Sequence, residues 1–426
     1  MKLLKREIFG EIAEWLERPE YIILTGSRQV GKTTLLHQLM NYINTPNKVY
    51  YDLENNDMLD ICNSGIQRFL QYLRLSGFDT NNRLYVFIDE IQYLRDPSNF
   101  LKLLHDHHKK IKIIASGSSS LEIRKKFSDS LVGRKIVFKI HPFSFAEFLE
   151  FKRPEKYGIK KRVGNIGDII NGNFNEASGL VSGELEPEIE EYLLFGGYPR
   201  QASEESADIK TRLLNEIKTG YVNKDIRDIA EIKDTESFNR LLKVLASQIG
   251  GLTNIRELSS FLGISIETVK RYLFLLENTF IISALHPYFE NKKKEISKMP
   301  KIFFSDNGLR NSILGFFGSD LLDPDRGKLI ENFIFTQLSR VFEINESLFF
   351  WRTQVGTEVD FIIKKGKKPI PVEVKASGLK KSKVTRSFRS FIEKYNPEIG
   401  IVFNRSLAAV EKIGGCRVIF APWYAV

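Results

Sequence analysis

Residues 21–34 read YIILTGSRQVGKTT, an apolar run that passes directly into G-x-x-x-x-G-K-T. Tyr21–Thr25 reads as a buried strand and Thr34–Met40 (TLLHQLM) as the helix that follows. Between them, Gly26, Ser27, Arg28, Gln29, Val30 and Gly31 form a loop that can curl round a phosphate chain, its N–H groups turned inward. Lys32 is placed to reach the β- and γ-phosphates of ATP, and the Thr33 hydroxyl to bind Mg²⁺. The expected ligand of Gly26–Thr34 is therefore Mg-ATP.

Such a loop needs a second strand that ends in a carboxylate. Leu84–Glu90, LYVFIDE, supplies it: the five residues before Asp89 are all apolar or aromatic, as in a parallel strand buried on both faces. Asp89 is the candidate metal-side acid, and Glu90 the base that orients or deprotonates the attacking water. A third strand, Lys112–Ala115, ends in Ser116-Gly117-Ser118. Ser116 and Ser118 are candidates for sensing the γ-phosphate, although a helix-capping turn would use the same serines.

Composition bounds the rest. The chain has 426 residues, a formal net charge of +10, 42% apolar and 27% charged residues, values of an ordinary globular protein large enough for two or three domains. The positive balance favours an anionic partner. No apolar run is long enough to cross a membrane. Cys62 and Cys416 form no disulfide or metal pattern, and the histidines have no ligand spacing; the expected setting is cytoplasmic, with no membrane partner. Alternating strands and helices over residues 1–150 predict a three-layer α/β/α domain on a parallel sheet, with strands near 21–25, 47–51, 84–88, 112–115 and 135–140. Residues 151–195, poor in periodicity, read as a mobile or extended insertion and linker.

Residues 196–300 read as a helical lid followed by a winged helix-turn-helix. Thr253 or Asn254 caps a helix with Ile255, Leu258, Phe261 and Leu262 on its apolar face. Gly263 ends it and Ser265 caps the next, which exposes Lys270 and Arg271 as DNA-contact candidates. A packing or oligomerisation module would show the same pattern. The run Lys292–Lys294 reads as a basic wing or a solvated turn.

Residues 301–426 hold a second constellation. Glu358–Ile363 and Ile370–Lys375 read as two strands of a hairpin. With Gly366-Lys367 as a type II′ turn, Asp360 lies opposite Glu373, and Lys375 shares the face of Glu373. Two carboxylates and a lysine so placed make a Mg²⁺-dependent phosphodiesterase site, with Asp360 and Glu373 on the metal. Glu331, on a preceding helix, is a further carboxylate. Lys364–Arg389 contains ten Lys or Arg and a single acid, Glu373; Lys380, Lys381 and Lys383 are the candidate DNA track.

These motifs carry a resemblance. RQVGKTTLL, the strand ending in DEIQ, SGSSS, a GR before a strand, PFSFAEFL and GGYP are similar to a broad family of archaeal and bacterial AAA+-type P-loop ATPases with a C-terminal domain of uncharacterised function. The stretch from KIFFSDNGLRN through EVDF and VEVK resembles that domain, which is similar to the PD-(D/E)xK nuclease fold. The resemblance implies ATP hydrolysis, a homo-oligomer of the ring kind, and a nucleic-acid substrate. It also implies a role for Arg134, before the strand Lys135–Ile140, as the finger that reaches a neighbouring subunit's nucleotide. The expected output is DNA binding, remodelling or cleavage. The alternative is a nucleotide switch acting on protein partners in signalling or defence, with the C-terminal fold an inert scaffold.

Overall fold

The computed structural model describes the chain apart from residues 1–3, 118–130, 177–178, 180–181, 221–233, 290–298, 318–321 and 367. The described residues fall into two compact units. The first comprises the chain up to Pro142 together with Phe274–Phe280. Its strands are β1 (Tyr21–Thr25), β2 (Lys48–Asp52), β3 (Leu84–Asp89), β4 (Ile111–Gly117) and β5 (Lys135–Lys139). They form one parallel sheet in the order β2-β3-β4-β1-β5. The three central strands, β1, β3 and β4, are buried along their whole length, whereas β2 and β5 at the edges are half-exposed. That is why β1 and β3 read as apolar runs, whereas in β4 a buried lysine, Lys112, interrupts the pattern. The parallel register pairs Ile88 with Ala115 and Thr25 with Gly117. It brings the tips of β1, β3 and β4 side by side, where ligands bind in open α/β sheets.

The second unit comprises residues 143–220, 233–273 and 281–426. Residues 151–195, expected to be mobile or extended, are instead helical, with helices Pro154–Val163, Ile166–Ile170 and Ser182–Phe195. Asn165 and Asp168 cap the middle helix reciprocally, and Val163, Ile166 and Ile169 are buried. The first two helices bury only a few side chains each, and the longest carries Pro187 inside it, a residue that reads as a helix breaker in sequence.

The expected boundary near 150 falls close to the edge of the first unit at Pro142, whereas those near 195 and 300 fall inside the second unit, where one acid ties the segments together. Asp306 caps the helix Asn307–Leu314 by accepting the Leu309 N–H at 2.9 Å, and its other oxygen accepts the Gly197 N–H at 2.7 Å. The Gly197 carbonyl in turn accepts the Phe143 N–H at 2.6 Å. The GGYP turn is thus a buried clasp between distant segments. Asp306→Ala would strand two buried N–H donors, and a loss of about 2–4 kcal/mol is expected in urea unfolding; an unchanged midpoint would rule the clasp out.

The helix Ile255–Leu262 is capped by Asn254 and ended by Gly263, whose φ is +69°. Ser265 caps the following helix, Ile266–Asn278, through the Thr268 N–H at 3.1 Å. Phe261 departs from expectation: it is 62% exposed rather than on the packed face. Two strands follow, β6 (Ile282–Leu285) and antiparallel β7 (Lys301–Phe304). Lys292–Lys294 lies outside the described residues.

The C-terminal sheet contains β8 (Leu348–Arg352), β9 (Glu358–Lys365), β10 (Lys368–Val374), β11 (Ile399–Asn404), β12 (Ala409–Ile413) and β13 (Cys416–Pro422), in the order β12-β13-β11-β10-β9-β8. The helix Arg386–Tyr395 packs Phe388, Phe391 and Ile392 against it.

Candidate functional sites

At the tip of β1 the chain turns so tightly that a Cβ on Gly26 would lie 2.2 Å from the Ile140 carbonyl oxygen. No other residue fits there. Gly31, at φ +94°, opens the helix Lys32–Tyr42. The Lys32 ammonium is buried and donates to the Gly26 and Ser27 carbonyls at 3.0 and 2.8 Å. The Thr33 hydroxyl donates to Asp89 Oδ2 at 2.6 Å. The two halves of the expected metal site, read 56 residues apart, therefore touch. Hydroxyl and carboxylate oxygens are the hard donors that Mg²⁺ takes, so these residues fit the ion.

Asp89 is held by two further hydroxyls. Ser116 donates to its Oδ1 and Tyr50 to its Oδ2, the latter at 3.0 Å. Burial, and then the Asp89 carboxylate, push the Tyr50 phenol well above its ordinary pKa, so it remains a donor. Ser118 lies outside the described residues. Glu90 sits in left-handed backbone, φ +53°, which is uncommon for a side chain of its size. Its carboxylate accepts from the Gln92 amide. Behind the loop, Arg6 donates to the carbonyls of Val30 and His141 at 2.9 and 2.8 Å, tying the P-loop to the end of β5. Tyr50 and Arg6 are not legible as site residues in the sequence: no motif marks them, and only the strand order brings Tyr50 to Asp89; Gln92 closes the DEIQ motif, but the motif assigns it no role.

Arg134 forms a two-point ion pair with Asp106, at 2.8 and 3.1 Å. Its carbonyl accepts the N–H of Tyr21, the first residue of β1. That is the end of the strand remote from the P-loop, about 16 Å away over five residues. Arg134 is therefore not part of its own chain's nucleotide loop.

The second constellation also assembles. β9 and β10 pair with Lys365 opposite Lys368 and Phe361 opposite Val372, the expected register, which sets Asp360 across from Glu373. Gly366 at the turn has φ +75°, as the first position of a type II′ turn needs. Lys375 Nζ lies 2.5 Å from Glu373 Oε1. Thr385, the N-cap of the helix Arg386–Tyr395, donates to Glu373 Oε2 at 3.1 Å. Asp360 Oδ2 accepts the Val374 N–H at 2.7 Å. Trp423 Nε1 donates to the Lys375 carbonyl at 2.8 Å, fixing the backbone beneath that lysine.

Against β8 the pairing of β9 slips by one residue. Phe349 faces Ile362 but Trp351 faces Val359, so an extra residue is inserted. Val359 and Ile362 consequently both enter the core with Phe388. Asp360 lies inside this bulge, a device that re-aims side chains at functional sites.

Three residues absent from the sequence-based site, Lys301, Glu358 and Arg352, complete the cluster. Lys301 is 3% exposed, and its ammonium bridges Glu331 Oε1 at 3.1 Å and Glu358 Oε1 at 2.6 Å. Arg352 reaches the other oxygen of Glu358 at 2.5 Å. Burial opposes the Lys301 charge, but the carboxylates of Glu331, Asp360 and Glu358 outweigh it and hold its pKa above the usual lysine range. Asp360 is pushed up to about 7, by burial first and by the Glu331 carboxylate second. Burial raises Glu331 too. Among the described residues no group of three or more His, Cys, Asp or Glu closes into a metal cage. Asp360, half-buried, and Glu373, buried, form an all-oxygen pair, the donor type that Mg²⁺ takes. Lys380, Lys381, Lys383, Arg386 and Arg389 are exposed beside it, as are Lys270 and Arg271 on their own helix.

The fold and loop of the first unit define a P-loop ATPase domain, and residues 18–149 match the model of an AAA domain. Residues 186–320 and 326–424 match two further families, each described as a domain of unknown function. The chain is similar to an uncharacterised protein of Methanocaldococcus jannaschii, 28% identical over 347 residues, covering 80% of this chain and 71% of that one. It is similar to an uncharacterised protein of Haemophilus influenzae, 27% identical over 366 residues and covering 83% and 81%. Among solved structures, a Walker-type ATPase of Pyrococcus abyssi is similar at 17% identity and TM-score 0.43, over 73% of this chain and 96% of that one. No helix among the described residues is long and apolar enough to cross a membrane.

Proposed function

We propose that the protein is a Mg-dependent ATPase whose cycle controls DNA bound by the second unit, and that the Asp360–Glu373–Lys375 cluster cleaves that DNA. The observation that carries the DNA half is the pairing of Asp360 with Glu373 across a hairpin, with Lys375 on Glu373 and lysines and arginines exposed alongside. A pair of acids flanked by exposed cations suits a polyanion. A bound metal would supply an activated water and neutralise the phosphate oxygens. Asp360 and Glu373 would hold it, Lys375 would sit over the developing charge, and Thr385 and Trp423 keep Glu373 and Lys375 in place. On the ATPase side, Lys32 grips the phosphates, Thr33 and Asp89 hold the metal, Ser116 reports on Asp89, and Glu90 takes the proton of the attacking water. The test is incubation with single-stranded, duplex and branched DNAs in Mg²⁺ or Mn²⁺, with and without ATP. Metal-dependent cutting supports the reading. Salt-sensitive binding without cutting makes the second unit a binding module. If neither is seen, the protein-directed switch is the better account.

Arg134 serves the site of a neighbouring copy in this proposal, since it stands far from its own loop, and the assembly is a ring. Arg134→Ala should then bind ATP yet lose turnover by about 10³-fold or more. Mixing it with Lys32→Ala subunits should restore part of the rate, because an intact loop then meets an intact arginine. A monomer with full turnover, or an active Arg134→Ala protein, would exclude a shared site.

A further inference from the structure

A cavity of about 820 Å³ opens in the second unit beside the carboxylate cluster. Its lining includes Phe350, Trp351 and Tyr395, the aliphatic Met299, and two cations, Arg352 and Lys394. The size is that of a small-molecule site. The Lys394 ammonium lies 4.9 Å from the Tyr395 ring centre and 5.9 Å from that of Trp351. Among the described lining residues none is an acid. Flat apolar walls with cations at the rim suit a flat, electron-rich ring attached to an anion.

Two physical connections join the cavity to the cluster. One is a chain of charged side chains, Arg352–Glu358–Lys301–Glu331, with successive separations of 2.5, 2.6 and 3.1 Å. The other is the helix Arg386–Tyr395. It begins at Thr385, which holds Glu373, and ends at Tyr395 in the cavity wall. Ten residues of helix span about 15 Å. Its exposed positions are Arg386, Arg389, Glu393 and Lys394, spaced so as to share one face. That face carries three cations and one acid from the acids' end to the cavity.

We propose that this cavity receives an unstacked nucleobase of the strand whose phosphates cross the Asp360–Glu373–Lys375 cluster, so that the site prefers DNA with unpaired nucleotides. The inference rests on the DNA reading above and specifies its substrate. Tyr395 and Phe289, both half-buried members of the lining, supply the aromatic surfaces over the buried Phe350 and Trp351, Lys394 the charge at the rim, and the Arg386–Arg389 face the path of the backbone. A base held in a duplex stack could not enter, whereas a flap, gap or loop could.

The test is binding of the full-length protein, in EDTA so that nothing is cut, to labelled DNAs measured by fluorescence anisotropy. Three probes are used: a single strand, the same strand with one abasic position moved along it, and the duplex. Tyr395→Ala should weaken single-strand binding about tenfold and duplex binding by less than about twofold. Met299→Glu should do the same without disturbing the core, since Met299 is 47% exposed. One abasic position should lower wild-type affinity by a similar factor and leave the Met299→Glu protein unaffected. Equal losses on single strand and duplex, or no abasic position that distinguishes wild type from variant, would overturn the cavity's role while leaving the DNA reading intact. An apolar peptide occupant would give that second result. No binding of any probe by the wild type would remove both.

Discussion

Glu90→Gln is expected to bind ATP as tightly as the parent and to turn it over about 10²–10⁴-fold more slowly. The amide keeps the shape of the side chain, and its oxygen can still accept from Gln92, so the left-handed backbone at Glu90 need not change. What it loses is the ability to take a proton. Lys32→Ala should fail earlier, at binding, with Kd raised roughly tenfold or more, because the charge-assisted grip on the phosphates is gone. Nucleotide binding followed by isothermal titration, together with steady-state phosphate release, separates the two effects. Full turnover in Glu90→Gln would remove Glu90 as the base. Equal affinity in Lys32→Ala would remove the phosphate cradle itself.

The larger effect is expected at the hairpin. Asp360→Ala or Glu373→Ala should abolish metal-dependent DNA cleavage and leave DNA binding unchanged or tighter, since each removes a negative charge from the phosphate path. The two changes are not structurally equivalent. Asp360 accepts the Val374 N–H, whereas Glu373 holds both Lys375 and Thr385. Glu373→Ala should therefore loosen the start of the helix Arg386–Tyr395 as well, and Glu373→Gln is the cleaner control. Replacing Lys380, Lys381 and Lys383 should instead weaken binding uniformly across sequences. It should also flatten the salt dependence by a log–log slope of about 0.7–0.9 for each phosphate left without its cation. A variant that loses cleavage and binding together would show that the acids support the fold and not the chemistry.

The parts of this molecule that are legible in the sequence share one property: local chemistry dictates them. The P-loop, the Asp89–Glu90 strand end and the β9–β10 register follow from glycine geometry, burial on both faces and a two-residue turn. Interactions set by packing order are not legible. Tyr50 reaches Asp89 only because β2 lies next to β3. Lys301 reads as one lysine among many until β7 brings it beneath Glu331 and Glu358. The bulge at Asp360 leaves no mark in composition. Of the helices of 154–195, the first two are hidden because each buries few side chains and the third because Pro187 lies inside it, and Phe261 reads as packed because a helical stripe does not reveal how wide a partner covers it.

Lys301 also bears on the ancestry of the chain. It lies within the segment that matches one family, 186–320, while the two acids it neutralises lie within the segment that matches the other, 326–424. A gene fusion that joined a foreign C-terminal segment at the seam would leave Glu331 buried without its cation and Glu358 with Arg352 alone, and the same junction cut by an experimenter would do so too. A neutral residue at Lys301 would therefore cost least when matched by a neutral residue at Glu331, on the far side of the seam.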